Sequence, residues 1–144
     1  MTSRYSHAAR RPLRIAIVED EALVALETEM QLAGAGHEVV GTADTAEGAI
    51  RLGSETRPDL ALVDVRLADG SSGVDAARAL GALGIVCLFA TGNCPAEGED
   101  HDDATGCLHK PYSQSDLLDA VDAAFAHAAG RPAGRVPQAM HLYN

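Results

Sequence analysis

Apolar positions along the chain fall into short dense runs, separated by stretches in which they recur every three or four residues. Residues 13–18 (LRIAIV) are rich in branched side chains, the pattern of a strand covered on both faces. Leu23, Leu26, Met30 and Ala33 then recur at helical spacing, predicting a helix with these residues as its core stripe, ended by Gly34 and Gly36. Residues 39–42 read as a second strand. Thr45 offers an N-cap to a second helix, with Ala46, Ala49, Ile50 and Leu52 on the face behind it. Pro58 breaks the chain, and residues 60–63 form a third strand that runs into Asp64. Gly70 and Gly73 bracket a loop before a third helix carrying Val74, Ala77, Leu80 and Leu83. Residues 85–90 (IVCLFA) make a fourth strand.

The alternation then weakens. Residues 92–105 carry no helical apolar stripe, and five of the seven residues from 97 to 103 are acidic. Where a fourth helix would stand, the sequence therefore predicts a degenerate or mobile segment. A short strand follows at 106–109. A last helix starts near Ser113 and turns Leu117, Leu118, Val121, Phe125 and Ala128 inward. This reading gives a flexible segment at 1–11, one domain at 12–129, and a flexible tail at 130–144, where Gly, Pro and Arg dominate. Strand–helix alternation of this kind predicts an α/β fold with a five-stranded parallel sheet and helices on both faces. Right-handed crossovers favour the strand order 2-1-3-4-5, the flavodoxin-like arrangement.

Composition removes several function classes. The 144 residues are 47% hydrophobic, enough for one core. Twenty-one acidic against 11 basic side chains give a formal charge of −10, which argues against a nucleic-acid binder. No apolar run approaches the roughly 20 residues that cross a bilayer, so no membrane partner is expected. The basic opening lacks the apolar run of a signal peptide. Cys87, Cys94 and Cys107 show no Cys-x-x-Cys spacing and read as reduced, small core groups in a cytoplasmic protein.

The chemistry follows from where strands end. In a sheet of this topology ligands bind beyond the carboxyl ends of the strands, where the winding direction switches. Strand one ends in Glu19 and Asp20, strand three in Asp64, strand four in Thr91, and strand five in Lys110. Two carboxylates about 4 Å apart repel by roughly 4 kcal/mol at an effective dielectric near 20, a penalty that a divalent cation removes. Oxygen-only ligands with room for water suit Mg²⁺. Asp20 and Asp64 are expected to bind it directly, the backbone carbonyl of Arg66 to add a ligand, and Glu19 to act through water. A carboxylate can also be a nucleophile toward phosphorus. Phosphoryl transfer then needs mainly positioning and charge neutralisation, for which Lys110 and Thr91 are available beside Asp64.

With these residues in place, the sequence resembles the receiver domain of bacterial response regulators over residues 13–129. The resemblance rests on the acid pair of IVEDE, the LALVD strand ending in Asp64, Thr91 in FATG, and Lys110 in HKPY. It implies a phosphoacceptor aspartate, Asp64, served by a sensor histidine kinase or phosphotransfer protein, with a downstream protein target. It also implies a stoichiometric acceptor that assists its own phosphorylation and dephosphorylation, not an enzyme, and a cis Lys110–Pro111 bond. FATG followed by an irregular segment resembles the FAT-type group of single-domain receivers from alphaproteobacteria. Two departures stand out. Cys107 occupies the place of the family's aromatic switch residue, and Cys94 stands where that group carries an aromatic. Arg66 and Asn93 occupy positions that in the family influence acyl-phosphate lifetime. The alternatives are a pseudo-receiver that binds partners without phosphorylation, or a phosphohydrolase of the haloacid-dehalogenase type. The latter wants a second acid two residues after the nucleophile, where this chain has Arg66.

Overall fold

The dense apolar runs are strands, and they lie at the centre of the fold. The computed structural model describes residues 11–96 and 103–143. Its elements are β1 (Arg14–Val18), α1 (Ala22–Gly34), β2 (Glu38–Ala43), α2 (Ala46–Thr56), β3 (Leu60–Val63), α3 (Gly73–Ala82), β4 (Val86–Thr91), β5 (Gly106–His109), α4 (Gln114–Ala128) and β6 (Met140–Leu142). One sheet holds them in the order β2-β1-β3-β4-β5-β6. The first five strands are parallel, as expected of strands joined by crossovers, and β6 runs antiparallel to β5.

Side chains alternate across the sheet and so divide the core in two. Ile15, Ile17, Leu62 and Leu88 pack under Leu32 of α1 and Leu117 and Val121 of α4. Val18, Val63 and Phe89 face the other way, toward Ala49 of α2 and Ala77 and Leu80 of α3. The predicted Thr45 cap forms, its hydroxyl accepting the Gly48 amide at 3.0 Å, and the Ser113 hydroxyl caps the last helix in the same way, accepting the Asp116 amide at 3.0 Å.

Helix α1 has the predicted period but not the predicted face. Leu23, Leu26 and Met30 are 80%, 53% and 65% exposed, and Ala33 is exposed too. Ala25, Thr28 and Leu32 are buried in their place. Spacing fixes the period of a helix and leaves its phase open when two apolar series run in parallel. Thr28 can occupy the inner face because its hydroxyl donates to the Val24 carbonyl at 2.8 Å. Ile50 and Ala128, also expected inward, are exposed.

The sheet has six strands rather than five, because the tail is not loose throughout. Met140–Leu142 pairs with β5, and the ladder continues through His109 N–H to the Ala139 carbonyl (2.9 Å) and Tyr143 N–H to the Thr105 carbonyl (2.9 Å). A bare β5 edge would present unpaired backbone groups, which β6 satisfies. Gly106 makes the approach possible, since a Cβ there would stand 2.7 Å from the His141 carbonyl oxygen. Met140 and Tyr143 are buried, and Arg135 pairs with Asp119 at 2.9 Å. Between β4 and β5 the described residues, 92–96 and 103–105, form no helix. Most of the acidic cluster, and the opening segment up to residue 10, lie outside the described residues. Among the described residues no helix is long and apolar enough to cross a membrane.

Candidate functional site

Strands β1, β3 and β5 deliver their last residues to one rim of the sheet. The ladder runs one step past each strand end: Glu19 N–H donates to the Ala43 carbonyl (2.8 Å), Asp64 N–H to the Val18 carbonyl (2.9 Å), and Lys110 N–H to the Thr91 carbonyl (3.0 Å). Backbone pairing therefore fixes where these side chains start. The first turn of α3 closes on the same place. Gly73 N–H donates to the Val65 carbonyl at 2.7 Å. A Cβ at Gly73 would collide with the Asp64 carbonyl oxygen and lie 2.8 Å from the Val65 Cα. Only glycine lets the helix come this near to the Asp64 backbone.

The Lys110 ammonium bridges two carboxylates. Its Nζ donates to Glu19 Oε1 at 2.7 Å and to Asp64 Oδ2 at 2.9 Å. The second Asp64 oxygen, Oδ1, accepts the Arg66 amide at 3.2 Å, and Glu19 Oε2 accepts the Glu21 amide at 3.2 Å. The side chains of Glu19, Asp64 and Lys110 are 6%, 12% and 24% exposed. Asp20 is exposed, yet Glu19, Asp20 and Asp64 each place a carboxylate oxygen within 4.8 Å of the others. Burial raises the Glu19 carboxyl above its ordinary value, against the lowering pull of Lys110. Burial by itself would lower Lys110, but its hydrogen bonds to Glu19 and Asp64 and their negative charges outweigh that and raise it. At neutral pH Lys110 is thus held as a cation.

Three clustered carboxylates, one of them open to solvent, offer hard oxygen donors with space left for water. That set can hold a divalent cation. The Arg66 amide faces Asp64, which sets that peptide against the cluster. Glu19, expected only in an outer role, is buried and anchors Lys110.

Thr91 and Cys107 stand apart from this network. Thr91 is fully buried at the end of β4, and its hydroxyl accepts the amide of the exposed Asn93 at 3.1 Å. The reading of all three cysteines as reduced is corrected by a disulfide between Cys94 and Cys107, with Cα atoms 5.9 Å apart. Cys87 stays free and buried, its thiol pushed up to about 12 by burial. The Lys110–Pro111 bond is cis. The roles of Gly73 and Tyr143 were missed as well. The Tyr143 hydroxyl donates to the Pro95 carbonyl at 2.7 Å, so the tail clasps the segment after Thr91. One cue to the site lay unused in the composition: Lys110 is the only lysine of the chain.

Known proteins resemble this chain in sequence and fold. Residues 15–122 match the family described as response regulator receiver domain. The phyllosphere-induced regulator PhyR of Methylorubrum extorquens is 47% identical over 74 residues, which cover 51% of this chain and 28% of PhyR. The transcriptional regulatory protein PdtaR of Mycobacterium tuberculosis is 31% identical over 118 residues, covering 78% of this chain and 57% of PdtaR. The chain thus matches about a quarter of the length of PhyR and little more than half that of PdtaR. The crystal structure of the signal receiver domain of a modulated diguanylate cyclase from Desulfovibrio desulfuricans superposes with a TM-score of 0.71 at 30% identity, covering 83% of this chain and 98% of that one.

Proposed function

The chain belongs to the response regulator receiver family, and on that footing we propose that Asp64 accepts a phosphoryl group from a histidine kinase or phosphotransfer protein. A carboxylate oxygen of Asp64 attacks phosphorus, an O–P bond forms, and the P–N bond to the donor imidazole breaks with its electron pair leaving on nitrogen. Lys110 sits 2.9 Å from Asp64 and is ready to move its charge onto a phosphoryl oxygen. Thr91 supplies a hydroxyl to a second oxygen once it lets go of the Asn93 amide. Glu19, Asp20, Asp64 and the Arg66 carbonyl would hold Mg²⁺, which when bound neutralises the charge that builds on the transferred group. The observation that carries this reading is the Lys110 ammonium bridging Asp64 and Glu19 beside Asp20.

The protein acts stoichiometrically. Arg66 and Asn93 flank the site and influence how fast water reaches the acyl phosphate. The exposed Leu23, Leu26 and Met30, with Glu27, Gln31 and Gln114, border an open hollow of about 460 Å³ on α1, just past Asp20. Such an apolar patch on α1 suits a protein donor or target. We place the protein in the cytoplasm, signalling through protein contacts or as a phosphate sink or shuttle.

Intact mass after incubation with acetyl phosphate tests this directly. One phosphoryl group should appear on the wild type, only with Mg²⁺ present, and none on Asp64→Asn. A folded wild type that takes no phosphoryl group from any donor would leave a pseudo-receiver that works by binding alone.

A further inference from the structure

The Cys94–Cys107 bond joins two places that matter for different reasons. Cys94 lies three residues past Thr91, on the segment whose Asn93 amide holds the Thr91 hydroxyl. Cys107 is fully buried on β5, between Phe89 of β4 and His141 of β6. The bond closes the β4–β5 connection, a separation of 13 residues, and it ties the stretch beyond Thr91 to the rigid sheet. The described part of that connection has no helix to hold it in place. The Tyr143 hydroxyl, donating to the Pro95 carbonyl, anchors it as well. The two residues are also unequal in exposure, Cys94 being half-buried and Cys107 fully buried. Cys94 is therefore the end of the bond nearer to solvent. Cys87 takes no part, since its thiol lies buried at 3.7 Å from the Ala77 carbonyl oxygen.

We propose that Cys94 and Cys107 are a reversible thiol–disulfide site, exchanged by small disulfides of the glutathione class, and that the bond sets how freely Thr91 turns toward a phosphorylated Asp64. In oxidation the Cys94 thiolate attacks a sulfur of the small disulfide, forming a mixed disulfide and releasing one thiol. The Cys107 thiolate then attacks the Cys94 sulfur, forming the internal bond and releasing the second thiol. Two protein thiols lose two electrons and two protons, and one small disulfide becomes two thiols. Disulfides inside mesophilic cells are mostly transient and redox-sensing, and the cytoplasmic reading above puts this one in that class. With the bond intact, the residues after Thr91 are pinned and the Asn93 amide keeps its hold on the hydroxyl. With the bond open, Gly92 to Cys94 gain freedom and the hydroxyl can turn. The coupling rests on Asp64 being the phosphoacceptor; the exchange chemistry does not.

The full chain is equilibrated in glutathione buffers of graded ratio, thiols are trapped by alkylation, and intact mass gives the oxidised fraction. A pair that passes from dithiol to disulfide across ratios found in cytoplasm is expected. A pair that stays oxidised, or stays reduced, at all those ratios overturns the exchange. Acetyl phosphate labelling of the oxidised and reduced forms reads the coupling. The phosphorylation rate or the phosphoryl half-life should differ about fivefold or more, the lower end of coupling between two sites. Cys94→Ser should behave as the reduced form in both buffers. Equal labelling kinetics in the two redox states, or a redox effect that persists in Cys94→Ser, overturns the coupling. Should neither form be labelled, amide hydrogen exchange at Gly92, Asn93 and Cys94 decides instead: faster exchange on reduction sustains the tether and unchanged exchange removes it, while the phosphoacceptor reading fails separately.

Discussion

The rim around Asp64 and the outer edge at β5 lie on one sheet, a few strands apart, yet they are built by opposite means. At the rim Glu19, Asp64 and Lys110 each sit one residue beyond a strand end, and ladder hydrogen bonds set their positions before any side-chain contact forms. At the edge, β5 is only four residues long and is completed from far away in sequence, by β6, by Tyr143 and by the bond to Cys94. The rim is a product of topology, and the edge is a product of long-range contacts. Chemistry that must be placed accurately uses the first device. A region meant to vary between proteins of one fold can use the second.

Removing Tyr143 is the largest single disturbance that this contrast predicts. The side chain is 4% exposed, packs in the cluster with Cys107, and bonds Pro95. Tyr143→Ala should cost about 3 kcal/mol in urea unfolding, as aromatic truncations in cores do. Tyr143→Phe, which loses the hydroxyl alone, should cost roughly 1 kcal/mol. The rate of Asp64 phosphorylation should move far less than the stability. If it fell in step with stability, edge and rim would be one unit, and the contrast would be wrong.

The complementary break is at the rim. Gly73→Ala forces a methyl group against the Asp64 carbonyl oxygen, so α3 or the end of β3 must shift. A loss of about 1–3 kcal/mol is expected, typical of overpacking, together with a drop in phosphorylation larger than that of Tyr143→Ala. A Gly73→Ala protein with normal labelling would mean that the Asp64 backbone tolerates displacement.

How much could be read from sequence follows the same division. Glu19, Asp64, Thr91 and Lys110 were legible because a dense apolar run ends just before or at each of them, and the switch-point rule converts that into position. The order of the five parallel strands was legible for a similar reason. The phase of α1 was not, since Leu23–Leu26–Met30 and Ala25–Thr28–Leu32 share one period and only tertiary packing chooses between them. Nor was β6 legible, because three residues after a Gly- and Pro-rich stretch carry too little pattern to name a strand. The disulfide depends on a Cα separation of 5.9 Å that arises only when β4 and β5 pair. Glu19 was found, but its partner Lys110 was read as reserved for the phosphoryl group.

Charge clustering gives a smaller effect, with a sign that exposes function working against stability. In metal-free protein, Asp20 adds a like charge near Glu19 and Asp64. Being exposed, its removal should change little: Asp20→Asn is expected to stabilise by roughly a few tenths of a kcal/mol. Addition of Mg²⁺ reverses the ranking. At about ten times its Kd the ion should raise wild-type stability by about 1.4 kcal/mol and leave Asp20→Asn nearly unmoved, as thermal unfolding with and without Mg²⁺ would show. Equal Mg²⁺ effects in both proteins would remove Asp20 from the metal site.

The smallest effect concerns Lys110, and the lone lysine makes it measurable. Its folded-state pKa lies above the ordinary 10.5, so the folded protein holds that proton more tightly than the unfolded chain does. Across the window above 10.5 the native state binds more protons, and stability must fall as pH rises. The contribution of the Lys110 pairs is therefore complete below 10.5 and is lost as pH climbs through the folded value. The lysine Cε resonance can be titrated without ambiguity, since no other lysine is present. In Glu19→Gln one of the two hydrogen-bonded carboxylates is gone, so the midpoint should drop back toward 10.5 while staying above it through Asp64. A midpoint unchanged by Glu19→Gln would show that Asp64 alone holds the ammonium. Glu19 would then be a bystander to the rim, and the buried pair at 2.7 Å would need another explanation.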